Sequence, residues 1–324
     1  MSGDKVVSAV CVAVVAGAVA LSAGVAAGQS ASGPRGEDAR WSPPRTAWGA
    51  PDLQGVWDYR TMTPLQRPRE FTGKTVMSPE EAVAYTARRL EEQADYDASP
   101  SVHAKWWLDY GTELTDDKRT SLIVDPPDGR IPALTDSAKQ RSAARGAYRR
   151  AHPADGADSR GLSERCLTFG TPRLPGGYNN NYQILQTPDH VVILSEMVHD
   201  ARIVPLDGRP SPEIPQWHGE ARGHWDHDTL VVESTSYTAD TGFRGATGAV
   251  RLTERFTRVG PDTIHYEITA DDSATWTSPW TLMFPMAKTD QPVFEYACHE
   301  GNYGLENILR NARLEDLGII RTQP

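Results

Sequence analysis

Two histidines stand beside acids at two distant turns: His199 with Asp200, and His299 with Glu300. A histidine next to a carboxylate is the commonest acid–base unit near neutral pH. Arg202 follows the first pair and offers a fixed cation for a carboxylate or a developing oxyanion. Asn180, Asn181 and Tyr303 are candidate positioning groups, because amides and phenols both donate and accept hydrogen bonds. Glu196 leads into the first turn and is a further substrate-binding candidate. The expected chemistry is cofactor-free proton transfer, of hydrolase or lyase/isomerase type. His199 would be base or acid, Asp200 would orient it, and Arg202 or Asn181 would hold the oxygen that gains charge. Glu254 or Glu300 would complete the transfer. The competing expectation is that these groups only cap strand ends.

Glu254 enters through strand parity. Leu252, Glu254 and Phe256 share one face, while Arg251, Thr253, Arg255 and Thr257 share the other. The first face is apolar, so Glu254 is expected to point inward. An unpaired inward carboxylate is costly and often functional. A buried pair with an arginine such as Arg202 is the structural alternative. In the next strand His265 shares the outer face with Glu267, which removes it from the candidates.

Other chemistries lack their motifs. No tight His-x-His or His-Glu-x-x-His spacing accompanies the histidines, so no metal is expected. There is no phosphate-cradling glycine loop and no Gly-x-Ser-x-Gly elbow. The expectation is therefore no cofactor. A formal net charge of -10 argues against a nucleic-acid partner.

The elements that must position these residues are mostly strands. Residues 182–185, 191–194 and 202–206 are short apolar runs divided by turns, the pattern of an antiparallel meander. Strands are also expected on either side of the turn at Asp226–His227, over 250–259 and 263–269, and over 276–286 and 293–299. Ser78-Pro79-Glu80-Glu81 opens a helix with a cap, a first-turn proline and first-turn acids. A second helix is expected over 136–150 and a short closing one over 305–313. The run Lys105-Trp106-Trp107-Leu108-Asp109-Tyr110 is either packing for this insertion or an aromatic wall for a ligand. Nine or ten strands in sequential order are enough to close an up-and-down barrel. The expected fold is mainly β: a single antiparallel barrel over 48–324 with a helical insertion at 78–155.

Lys5 and the small apolar run 6–25 read as an export signal ending in Val25-Ala26-Ala27, with a disordered leader over 29–47. The expected location is periplasmic or extracellular. Signal cleavage would leave no stable membrane anchor; an uncleaved anchor is the alternative. Cys11 would leave with the signal, and Cys166 and Cys298 remain. In an oxidising compartment these are expected to form a disulfide, against two buried thiols or a thiol nucleophile. The expected partner is a small hydrophobic or aromatic molecule. The enzyme reading is carried beside that of a passive binding protein.

The opening Gly55-Val56-Trp57 resembles the first strand of lipocalin-type barrels, where the tryptophan plugs the barrel floor. More widely, the chain resembles a family of exported bacterial proteins of unassigned function. The stretches that carry this are 51–57, 121–131, 179–183, 196–202, 228–233 and 296–304. The last, Tyr-Ala-Cys-His-Glu-Gly-Asn-Tyr-Gly, is the most specific. The chain departs from the pattern at Asp226-His227-Asp228, where Glu-Gly-Asp is expected, and at Ser211, where His is expected. The resemblance implies a lipocalin-like barrel and brings no activity.

Overall fold

The computed structural model describes residues 41–98, 109–239 and 243–320. The expected signal, the leader as far as residue 40 and the aromatic residues 105–108 lie outside the described residues. The last part of the expected leader is held in place. Arg45 bridges to Pro51, and the Asp52 amide donates to the Pro44 carbonyl.

Ten strands form one antiparallel sheet. They are β1 (Gly55–Asp58), β2 (Ile123–Asp125), β3 (Asn181–Gln186), β4 (His190–Ser195), β5 (Ala201–Pro205), β6 (Glu220–Asp226), β7 (Thr229–Thr235), β8 (Arg251–Gly260), β9 (Thr263–Asp271) and β10 (Trp280–Thr289). Their order is β5-β4-β3-β1-β10-β9-β8-β7-β6, with β2 on the edge of β10. The mainly β expectation holds, and the meander at 181–205 sits where the apolar runs place it. Apart from β2 and the step from β5 to β6, each strand neighbours the next in sequence, and β1 joins β3 to β10.

The sheet is not closed by hydrogen bonds. β5 and β6 are its two edges and share no ladder. Nine alternating strands make these edges run in the same direction, so a joint between them would be parallel. The edges do approach one another. A Cβ on Gly223 of β6 would lie 2.8 Å from Val204 Cγ1 and 2.8 Å from Leu206 Cδ2, so only glycine fits there. The residues 293–299 form no strand. β10 already pairs with β9 on one side and with β1 and β2 on the other, which leaves no edge for them.

The inward faces fill the interior with large side chains. Trp57, Tyr59, Tyr182, Phe256, Tyr266 and Phe284 are fully buried. Tyr266 stacks on Phe256 at 4.4 Å and meets Phe284 edge-on at 5.2 Å. Trp57 Nε1 donates to the Leu53 carbonyl, which satisfies the one polar atom of that ring.

Three helices lie outside the sheet: α1 (Pro79–Ala98), α2 (Asp136–Ala151) and α3 (Tyr303–Asp316). A reciprocal capping box starts α1. The Glu81 amide donates to Ser78 Oγ, and the Ser78 amide donates to Glu81 Oε2. In α2 only Ala138 is buried, as its polar sequence implies, and α3 has no buried residue. The insertion after β1 is not helical throughout, because β2 lies between α1 and α2 and pairs with β10.

Candidate functional site

Sequence parity places Glu254 inward, and it is fully buried. It makes a two-pronged ion pair with the equally buried Arg202, whose Nη2 stands 2.8 Å from Glu254 Oε2. Tyr266 donates to the same carboxylate. Arg202 is on β5 and Glu254 on β8, so the sheet must curl until those strands face each other. Burial opposes the Arg202 charge, but Glu254 more than compensates and raises its pKa further. Burial first, and then Glu254, raise the Tyr266 phenol well above its ordinary range. This is the structural alternative weighed for Glu254: two charges satisfying each other inside a packed interior.

The remaining candidates separate. Asn180 is buried and fully employed in shaping a loop. It donates to the Asp109 and Gly176 carbonyls and accepts from the Gly176 amide. His299, Glu300 and Tyr303 are exposed. Asn181 and Glu196 meet across β3 and β4, with Asn181 Nδ2 2.8 Å from Glu196 Oε2. The segment after β10 crosses this end. The Phe294 amide donates to Glu196 Oε1 at 3.4 Å, and four residues on Cys298 is joined to Cys166 by a disulfide, with Cα atoms 5.6 Å apart.

The turn from β4 to β5 holds the most informative residues. Val198 and His199 both have left-handed backbone, with φ of 60° and 46°. For a β-branched residue that conformation is strained, by roughly 1–3 kcal/mol. It turns His199 outward, where its ring makes no hydrogen bond among the described residues, and leaves Asp200 buried. Asp200 therefore does not orient His199. Its carboxylate accepts a hydrogen bond from Thr168 Oγ1 at 2.7 Å and lies 3.3 Å from Nε2 of a different histidine, His218.

Sequence reasoning missed His218 and Thr168. Neither has an acid beside it in sequence, and the turn that presents His218 is set by a residue two strands away. Gly219 has φ of 68°, and a Cβ there would lie 2.6 Å from the Tyr237 ring and 2.8 Å from the Thr235 carbonyl. Gln216 bridges Tyr237, which fixes the segment that carries His218. The signal available in sequence was the His-Gly pair before β6.

The donors and acceptors of this cluster fix its protons. The single Thr168 hydroxyl proton goes to Asp200. Its oxygen then accepts from the Gly170 amide at 2.8 Å and from His218 Nε2 at 3.0 Å. Nε2 must carry a proton to face both that oxygen and the Asp200 carboxylate. Nδ1 makes no hydrogen bond among the described residues. His218 is partly exposed, whereas Asp200 and Thr168 are buried.

Two surface clefts lie elsewhere. One of about 310 Å³ is lined by residues including Asp58, Arg60, Asp109 and Glu113, and there Arg60 already bridges Asp58 and Asp109. The other, of about 380 Å³, lies between α3 and residues 155–156. Neither includes a histidine. Among the described residues no cluster of three or more His, Cys, Asp or Glu has metal-binding geometry. No family model, curated protein or solved structure matches this chain.

Proposed function

We propose that the chain is an exported acid–base catalyst acting on a partly hydrophobic small molecule, by hydrolysis or by a lyase or isomerase reaction. The base in this reading is His218 rather than His199 or His299. The observation that carries it is the arrangement of Thr168, Asp200 and His218. The buried carboxylate and hydroxyl hold Nε2–H, so Nδ1 is free to take a proton from substrate or water. Asp200 also stabilises the imidazolium that forms. The strained turn at Val198–His199, which delivers Asp200 to this position, is a cost that a purely structural turn would not need.

The fold proposed for this function is a lipocalin-like barrel in which β5 and β6 close side by side through side chains. The packed interior puts the chemistry at one end of the sheet instead of in a central cavity. Export with cleavage near Gly28 is part of the same proposal. The Cys166–Cys298 disulfide supports it, since such bonds persist in oxidising compartments. No helix among the described residues is long and apolar enough to cross a membrane.

The test is to incubate the protein with an extract of small hydrophobic metabolites and follow consumption by mass spectrometry. The expected result is turnover that falls by about 100-fold or more in His218→Ala and in Asp200→Asn, the scale of a lost general base. Turnover that depends on His199 or His299 and ignores His218 would move the site back to the adjacent pairs. An unchanged ligand co-purifying with every variant would leave the passive binding protein.

A further inference from the structure

We infer that Arg173 forms a binding subsite for the carboxylate of an aromatic acid. This names a substrate class for the acid–base reading above and rests on it for the chemistry, although the binding can be measured without turnover.

The chain carries 43 acidic residues against 33 lysines and arginines, and many of its arginines are paired with carboxylates. Arg173 is not paired with a carboxylate among the described residues. Its Nη1 donates to the Phe169 carbonyl at 3.1 Å, and its guanidinium carbon stands 5.5 Å from the centre of the Phe169 ring. Those two contacts fix the plane of the fork. The opposite edge, Nε with Nη2, makes no hydrogen bond among the described residues, and Nε is buried. A buried donor without an acceptor is costly. The Nε–Nη2 edge matches the two oxygens of a carboxylate, so an acid bound there would relieve that cost. Nη2 also makes no hydrogen bond among the described residues and is not enclosed as Nε is, so an acid would reach this edge from the Nη2 side.

The surroundings favour a ring on that acid. Phe169 meets Tyr296 edge-on at 6.0 Å, and Tyr178 lies beside the Tyr296 phenol. Burial first, then Tyr178, push the Tyr296 phenol up to about 12, with Arg173 acting in the opposite direction. The Tyr296 phenol therefore keeps its proton and can donate it to a ligand oxygen. The loop that carries the subsite also carries a partner of the proposed base. Phe169 follows Thr168, whose hydroxyl stands 3.0 Å from His218 Nε2. The Arg173 amide donates to the Tyr182 hydroxyl at 2.6 Å, which ties this loop to β3.

The experiment is calorimetric titration of the purified protein with benzoate, benzamide and inorganic phosphate. Benzoate should bind at least about tenfold more tightly than either of the others, because only it combines a ring with a planar anion. Arg173→Gln should weaken benzoate at least about tenfold with the thermal melt unchanged, and Arg173→Lys should recover part of the loss. Should Arg173→Gln fail to fold, benzoate added to the wild-type protein must shift the Phe169 and Tyr296 ring resonances. Equal affinity for benzamide, tighter binding of phosphate, binding indifferent to Arg173, or no shift at those rings would each overturn the inference. Benzoate bound normally by His218→Ala, with no turnover found in any protein, would sink the catalytic reading and leave the subsite standing.

Discussion

Arg202 and Glu254 decide how a charged residue can belong to a core. Each is fully enclosed, and each is tolerable only because the other is there. Removing one partner leaves a lone buried charge, a loss of about 3–5 kcal/mol. Replacing both by apolar residues of similar size removes that penalty. In urea titrations Arg202→Met and Glu254→Leu should each destabilise strongly, and the double variant should regain most of the loss. Additive losses in the double variant would mean that the two side chains do not depend on each other. Asp200 differs from Glu254 because its partners are a hydroxyl and a partly exposed imidazole, which in the proposed reading leaves one ring nitrogen for substrate.

At the scale of elements, one carboxylate gathers several donors of the loop after β9. Asp272 accepts from the Thr247 amide and hydroxyl, the Ala274 amide and the Thr275 hydroxyl. Burial raises its pKa, but these hydrogen bonds outweigh burial and hold it below the ordinary 3.8. A folded-state value below the unfolded one gives stability that is complete above the unfolded pKa. It is lost as pH falls through the folded one. Asp272→Asn should therefore be clearly less stable than wild type at about pH 5, and the gap should narrow toward about pH 3. A gap that stays constant in denaturant titrations across that range would contradict the role given to this carboxylate. The segment after β10 shows the other side of element formation. Alternating apolar residues over 293–299 suit a strand, yet with both edges of β10 occupied they run on as a strap toward α3.

Over the whole molecule, the disulfide joins residues 132 apart in sequence and pins that strap to the loop beneath the site. In the chain-entropy account, closing a loop of this length contributes about 4–5 kcal/mol by restricting the unfolded chain. Cys166→Ser combined with Cys298→Ser should lower stability by that order in urea titrations, and reductant should do the same to wild type only. A double variant as stable as wild type would mean that the strap is held by its other contacts, such as the Phe294 amide on Glu196.

The sequence by itself determined most of the strands, because period-two alternation follows from strand geometry alone, although 293–299 alternates without forming one. That pattern placed the meander at 181–205 and put Glu254 inward and His265 outward, while Ser78 with its first-turn proline and acids marked the start of α1. An even count of cysteines after the expected signal was enough to expect Cys166 paired with Cys298, and the two are bonded. Adjacency in sequence was a poor guide to adjacency in space. His199 and Asp200 are neighbours in the chain, but two left-handed residues point one ring to solvent and turn the carboxylate inward. His218 and Thr168, 50 positions apart, meet only because the sheet curls and Gly219 lets its turn pass against Tyr237. Tertiary structure decided those contacts, since they depend on where strands end relative to one another, which no local pattern encodes.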